Sequence, residues 1–254
     1  MALNLRQSEI LDLARAEGRV MVEDLAARFG VTLQTIRRDL TELADIGRLE
    51  RVHGGAVLRA GVANIGYAER RQMNAGAKAA IARACAAKIP DNSSLFLNIG
   101  TTTEAVAQAL LAHQNLTVVT NNMNVANILT QSESCDVIVA GGVLRRSDGG
   151  LVGDLTKEAI ETFKVDFAII GTSGLDADGD LLDFDSQEVR VSRAIIRQAR
   201  RTFLVSDHSK LTRSAPVKVA SLADIHTLYT DRKLPADLAA KCTEWGTAVV
   251  VSPG

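Results

Sequence analysis

The sequence predicts an α/β protein in two parts: a small N-terminal unit of three short helices closed by a hairpin, then a doubly wound, mostly parallel sheet. Three observations carry that expectation. Apolar residues recur at helical spacing in three short runs between Leu5 and Ile46. Extended, turn-rich residues follow at once from Arg48 to Val57. From residue 75 onward, helical stretches alternate with short apolar runs rich in β-branched residues, the pattern of a parallel sheet covered on both faces. The length of 254 residues has room for two domains at roughly 100–200 residues each. A composition of 46% apolar and 23% charged residues is that of a folding, globular chain.

In the first part Ile10, Leu13 and Ala14 mark one helix, Val22, Leu25, Ala26 and Phe29 a second, and Ile36, Leu40 and Leu43 a third. Gly18 separates the first two. Gly30 is placed to take the left-handed stop before the third, with Thr32 as its N-cap. A tight Gly turn between such helices is helix-turn-helix grammar, here over about 20–39. Residues 48–57 read as two extended pieces around a small turn, a wing. The expected organisation is a winged helix-turn-helix over 1–58, a linker over 59–74 where periodicity is lost, and an α/β domain over 75–254.

With 29 Lys+Arg against 30 Asp+Glu the net charge is −1, so no overall field recruits nucleic acid and any such binding depends on local placement. Residues 1–58 hold eight basic and nine acidic residues, whereas 59–90 hold six basic (Arg59, Arg70, Arg71, Lys78, Arg83, Lys88) and one acidic, a surplus suited to DNA or to a neighbouring subunit. Turning Ile36, Leu40 and Leu43 inward leaves Gln34, Arg37, Arg38, Thr41 and Asp45 on the opposite face of the third helix. Arg can bond guanine bidentately and Gln adenine, while Glu42 and Asp45 near the helix end repel phosphate, so the leading half is expected in a major groove. Thr32 and Thr35 are placed for phosphates or thymine methyls, and Arg48, Arg51 and His53 on the wing for the backbone or minor groove. The competing account is a helical dimerisation module with a solvated Arg pair.

In the second part, strands are expected at 95–99, 117–120, 136–140, 166–171, 202–206, 225–229 and 247–251. Ligands of such sheets bind beyond the strands' carboxyl ends. There the first strand runs into Gly100, Thr101, Thr102, Thr103 and a helical pattern, so free N–H groups and hydroxyls meet at a helix N-terminus, an anion seat. It lacks the P-loop ending and the dinucleotide glycine spacing, which argues against NTP and NAD. Further turns at Asn121, at Gly141-Gly142 and at Gly171-Thr172-Ser173-Gly174 could line the same crevice. Lys210 is a candidate phosphate partner, and Asp183, Asp185 and Glu188 could orient hydroxyls or abstract a proton. Asp176–Asp180 looks like a calcium loop but puts Leu181 where Gly is required, so it reads as a turn. No His or Cys spacing suits a metal, and no cofactor is expected. Three Cys at separations of 50 and 107, no export signal and no roughly 18-residue apolar span point to a reducing, cytoplasmic setting.

Arg6, Ile10, the run Thr32-Leu33-Gln34-Thr35-Ile36-Arg37-Arg38-Asp39-Leu40 and Arg51-Val52-His53-Gly54-Gly55-Ala56 resemble the winged helix-turn-helix of DeoR-family bacterial repressors. Two positions depart from it: Met21 stands where a Ser or Thr N-cap is usual, and Leu33 where Pro often opens the recognition helix. The second half resembles the sugar-phosphate sensor domain of the same family, similar in fold to ribose-5-phosphate isomerases. In that comparison Glu188 falls near a catalytic glutamate and Lys210 near a phosphate-binding lysine, while the sensor binds without converting. The residues Thr120–Asn127, Arg145–Gly150 and Asp207–Lys210 narrow the resemblance, which adds Arg145 to the effector site. The implied protein is a homo-oligomeric repressor, a dimer or tetramer and not an enzyme. It would bind operator double-stranded DNA and be released by a phosphorylated metabolite, glycerol 3-phosphate, in control of glycerol catabolism. The rival is a sugar-phosphate isomerase with an appended interaction module, or a repressor answering another sugar phosphate.

Overall fold

The computed structural model describes residues 4–17, 19–46, 48–52, 54–58 and 66–253. They form two compact units, divided between Ala63 and Asn64. In the first, α1 (Leu5–Glu17), β1 (Arg19–Met21), α2 (Val22–Phe29) and α3 (Leu33–Asp45) precede β2 (Leu49–Val52) and β3 (Gly55–Leu58). Ile10, Ile36, Leu40 and Leu43 are fully buried, joined by Val22, Leu25, Leu49 and Ala56 in one core. Each such Ile or Leu contributes about 1.5–3 kcal/mol of burial, which is what holds three short helices together. The wing is a three-stranded antiparallel sheet, β1-β3-β2. Its first strand is too short to show periodicity and exists through pairing with β3. Met21 caps α2 without a side-chain hydrogen bond, so that helix end relies on packing.

The second unit opens with α4 (Tyr67–Gln72) and α5 (Ala75–Ala86). Residues 67–74 therefore do not belong to a linker: Tyr67 is anchored by its hydroxyl to Glu104 at 2.8 Å, and Asn74 donates to Asp207 at 2.8 Å. Those tertiary partners are distant in sequence, which is why lost periodicity misread the segment. Residues 59–65 lie outside the described residues.

Next come β4 (Ser94–Leu97), α6 (Thr101–Leu110), β5 (Leu116–Thr120), α7 (Met123–Leu129) and β6 (Cys135–Val139). A hairpin of β7 (Val143–Arg145) and β8 (Gly150–Val152) leads to α8 (Asp154–Glu161) and β9 (Val165–Ile170). The chain continues through β10 (Gly174–Leu175), β11 (Asp180–Asp183), α9 (Ser186–Arg197) and β12 (Ala199–Val205). It finishes with β13 (Val217–Ser221), β14 (Thr227–Thr230), α10 (Ala236–Trp245) and β15 (Ala248–Val251).

Seven strands form a parallel sheet in the order β15-β14-β12-β9-β4-β5-β6. Its inner strands alternate between two cores. Leu95, Leu97, Ile169, Phe203 and Val205 pack with α5, α6 and α7, while Phe96, Ala168, Ile170 and Leu204 pack with α8, α9 and α10. A small antiparallel sheet, β10-β11-β13, escapes sequence reading because its strands are short and irregular. The Asp176 carboxylate accepts from the N–H groups of Asp178 and Asp180 at 3.0 and 2.8 Å, closing a turn.

Candidate functional site

In the N-terminal unit the presentation of α3 is fixed from below. Gly30 ends α2 in the left-handed conformation (φ 63°), and the Thr32 hydroxyl accepts from Thr35 N–H at 3.2 Å, starting α3 at once. Asp39, buried on the inner side, pairs with Arg6 of α1 at 2.6 Å, and Gln7 donates to Glu42 at 2.6 Å. These bonds set the rotation of α3 so that Thr32, Gln34, Arg37, Arg38 and Thr41 face outward, with Thr35 half-buried. Glu42 also accepts from Arg38 at 3.0 Å, which tempers its repulsion of phosphate. Arg51 donates to the Arg37 carbonyl at 2.9 Å and to the Thr41 hydroxyl at 3.0 Å, bracing the wing against α3. Arg48 is exposed, and His53 lies outside the described residues.

In the second unit the topology reverses at β4. The chain first adds β5 and β6 on one side, then returns to place β9 on the other, so the β4/β9 boundary is a switch point. A shallow polar crevice, partly open to solvent, lies there. Gly100, Thr101 and Thr102 line it from the start of α6, Gly171, Thr172 and Ser173 from the end of β9, and Val205 and Lys210 from the end of β12 and just beyond. Asp183, Glu188, Ile99 and Arg70 complete it.

Burial, with Arg213, Arg70 and Lys78 nearby and despite Asp207, pulls the Lys210 ammonium down to about 7. Burial lowers Lys78 to about 8 in the same cluster. Burial pushes the Glu188 carboxyl up to about 7, with the Asp183 charge adding to it and Arg145 opposing. For Asp207 burial alone would raise the carboxyl; the Lys210 charge and hydrogen bonds from Ser209 and Asn74 hold it below the ordinary value. The crevice thus concentrates partly discharged cations, the electrostatics of a seat for a small anion.

Several expected residues lie elsewhere. Thr103 turns inward, its hydroxyl donating to the carbonyls of Asn98 and Gly100 at 2.8 and 2.7 Å. Asn121 is buried, donating to the Leu151 carbonyl at 3.1 Å. Gly141 and Gly142 pack against α8: Thr156 donates to the Gly141 carbonyl at 2.6 Å, and a Cβ at Gly142 would sit 1.9 Å from that hydroxyl oxygen. They serve packing because the β6 end curls toward α8. Arg145 does not line the crevice but stands behind it, holding Glu188 at 2.5 Å, Asp148 at 2.7 Å and Asp185 at 2.7 Å. Arg70 and Lys78, grouped by sequence with a surplus for DNA or a neighbour, instead belong to this site: Arg70 lines it and Lys78 is buried beside it. Arg70 lies in an apparent linker, so no local pattern marks it. Among the described residues no His, Cys, Asp or Glu cluster is arranged to hold a metal ion, and no helix is long and apolar enough to cross a membrane.

A winged helix-turn-helix joined to a doubly wound sheet with a polar crevice at its switch point defines a DNA-binding regulator that carries its own sensor. Residues 6–60 match the DeoR-like helix-turn-helix domain, and residues 73–232 match the DeoR C terminal sensor domain. The chain is 46% identical over 239 residues to the glycerol-3-phosphate regulon repressor of Escherichia coli, covering 94% of this chain and 95% of that one. It is 45% identical over 254 residues to the glycerol-3-phosphate regulon repressor of Haemophilus influenzae, covering 100% of this chain and 99% of the relative. Ribose 5-phosphate isomerase A from Methanocaldococcus jannaschii overlays 54% of this chain and 55% of its own at 14% identity, with a TM-score of 0.40. The chain belongs to the DeoR family, and it is a DNA-binding transcriptional repressor.

Proposed function

We propose that this repressor leaves its operator when glycerol 3-phosphate occupies the β4/β9 crevice, and so controls genes of glycerol catabolism. The observation that carries the effector assignment is the convergence of the α6 N-terminus at Thr101 and Thr102 with Lys210 in one small polar crevice at the switch point. Its cations favour a phosphate, and Asp183 and Glu188 a hydroxyl-bearing body. The relatives named above, repressors of a glycerol-3-phosphate regulon, support the same ligand.

Thr32, Gln34, Thr35, Arg37 and Arg38 present the leading half of α3 to the major groove, with Thr41 one turn further on, and Arg48, Arg51 and His53 of the wing meet the backbone or minor groove. A two-fold operator calls for a dimer or a pair of dimers, and the exposed apolar residues Val143, Leu144 and Leu155 are consistent with such an assembly. The protein acts in the cytoplasm, where operator and metabolite meet. It binds the metabolite without converting it, since Arg145 engages the Glu188 carboxylate that a proton abstraction would need.

The test is a mobility-shift titration of the protein on its own upstream DNA, challenged with three- to six-carbon phosphates. Glycerol 3-phosphate should release the duplex and glycerol should not. A complex indifferent to every phosphate removes the effector assignment, release by another sugar phosphate replaces the ligand, and turnover of an aldose or ketose phosphate replaces binding with catalysis.

A further inference from the structure

Arg70 is a guanidinium whose surroundings inside the protein are incomplete. It lines the crevice next to Thr101, Thr102 and Lys210, and its side chain is only 17% exposed. Its Nε is buried with no hydrogen-bond partner among the described residues. Its terminal nitrogen reaches Asp148 only at 3.5 Å, and that carboxylate is already held by Arg145 at 2.9 and 2.7 Å. A buried donor left unmade carries the desolvation cost of its group, larger when charged, so this nitrogen calls for a further acceptor. Lys210 and Lys78 crowd the same space, and an Arg fork suits the bidentate recognition of phosphate.

The main chain of Arg70 makes a second connection. Its carbonyl accepts from the Lys78 ammonium, and from the Thr101 hydroxyl at 3.5 Å. Two groups bordering the anion seat are therefore occupied by the last turn of α4, a six-residue helix with no fully buried side chain. A phosphate in the seat competes with that carbonyl for both donors while offering oxygens to the Arg70 side chain. Residues 59–66 are all that separate α4 from the last wing strand along the chain.

Resting on the crevice assigned above, we infer that Arg70 is a ligand of the effector's phosphate and that α4, which carries it, is the element that responds to occupancy. Phosphate exchanges the carbonyl contacts of α4 for a guanidinium contact, and α4 shifts in consequence.

The experiment is calorimetric titration of full-length wild type, Arg70→Gln, Arg70→Lys and Lys210→Ala with glycerol 3-phosphate, inorganic phosphate and, as the uncharged control, glycerol. Amide hydrogen exchange of residues 67–72 is followed in parallel with and without glycerol 3-phosphate. Arg70→Gln should weaken both phosphates about tenfold or more, the worth of a charge-assisted bond, and Arg70→Lys should recover part of that loss. Exchange in α4 should change on ligation of wild type and not of Arg70→Gln. Binding by Arg70→Gln within about twofold of wild type, while Lys210→Ala loses it, overturns the Arg70 assignment and leaves the crevice standing. Retained binding in both variants overturns the crevice itself. Unchanged α4 exchange in ligated wild type, a measurement independent of how any variant folds, overturns the responding role of α4.

Discussion

Arg145 and Glu188, 43 residues apart in sequence, meet at 2.5 Å behind the crevice, where the same guanidinium also takes Asp148 and Asp185. One guanidinium pairs with three carboxylates, two of them buried. Burial works against the Arg145 charge, and the hydrogen bonds and charges of Asp148 and Glu188 more than restore it, holding it above the ordinary value. Arg145→Ala strands that cluster and should cost about 3–5 kcal/mol of stability in the second unit. Thermal unfolding checks it, and a melting temperature near wild type would show that solvent replaces the guanidinium.

The Arg6–Asp39 pair at 2.6 Å does comparable work for α3, tying its inner side to α1. Arg6→Ala leaves Asp39 buried and unpaired, so the winged unit should lose about 1–3 kcal/mol. Arg6→Ala with Asp39→Leu, which removes both charges, should be less damaging than Arg6→Ala alone. Unfolding of the separate variants followed by circular dichroism decides the order; equal stability of all three would mean that the pair holds nothing.

On the outer face, Arg38 spends its side chain on Glu42 while remaining 81% exposed, a surface pair worth about 0.3–0.5 kcal/mol. DNA can therefore draw it away at little expense. Arg37→Ala and Arg38→Ala should each lose about 1–3 kcal/mol of preference for operator over random duplex. Competitive mobility shifts measure that ratio. An equal loss on both duplexes, with a shallower salt dependence, would convert these residues from base readers to phosphate contacts.

At the proposed effector crevice, Lys210→Ala and Thr102→Val should each raise the glycerol 3-phosphate concentration needed for release about tenfold. Operator release titrations provide the check, and an unshifted midpoint in both variants would count against the seat.

An effector bound at the proposed crevice should show pH-dependent affinity. With Lys210 at about 7, a bound dianion raises that value, so binding takes up protons near and above neutrality and affinity falls as pH rises from 7 to 9. Glu188, also near 7, gains charge over part of that range and repels the ligand, which reinforces the sign. For folding, Lys210 has the opposite slope: the unfolded chain holds the proton up to its ordinary value, so this group's contribution to stability grows as pH rises from about 7 toward 10. Calorimetry in buffers of different ionisation heat detects the uptake, and Lys210→Arg should diminish it.

Sequence alone determined what is local. The helical periods, the Gly30 stop with its Thr32 cap, the exposed Gln34, Arg37 and Arg38, and the seven parallel strands were legible because each depends on neighbours within a turn or a strand. The helix start at Thr101, after the strand ending at Leu97, was legible for the same reason. Tertiary structure decided everything that depends on distant partners. It turned Thr103 and Asn121 into buried braces, set Arg145 behind the crevice, brought Arg70 out of an apparent linker to line it, and buried Lys78 beside it. No local pattern could show this, because a side chain's environment is set by the strand ends that meet it, and strand order is a property of the whole sheet.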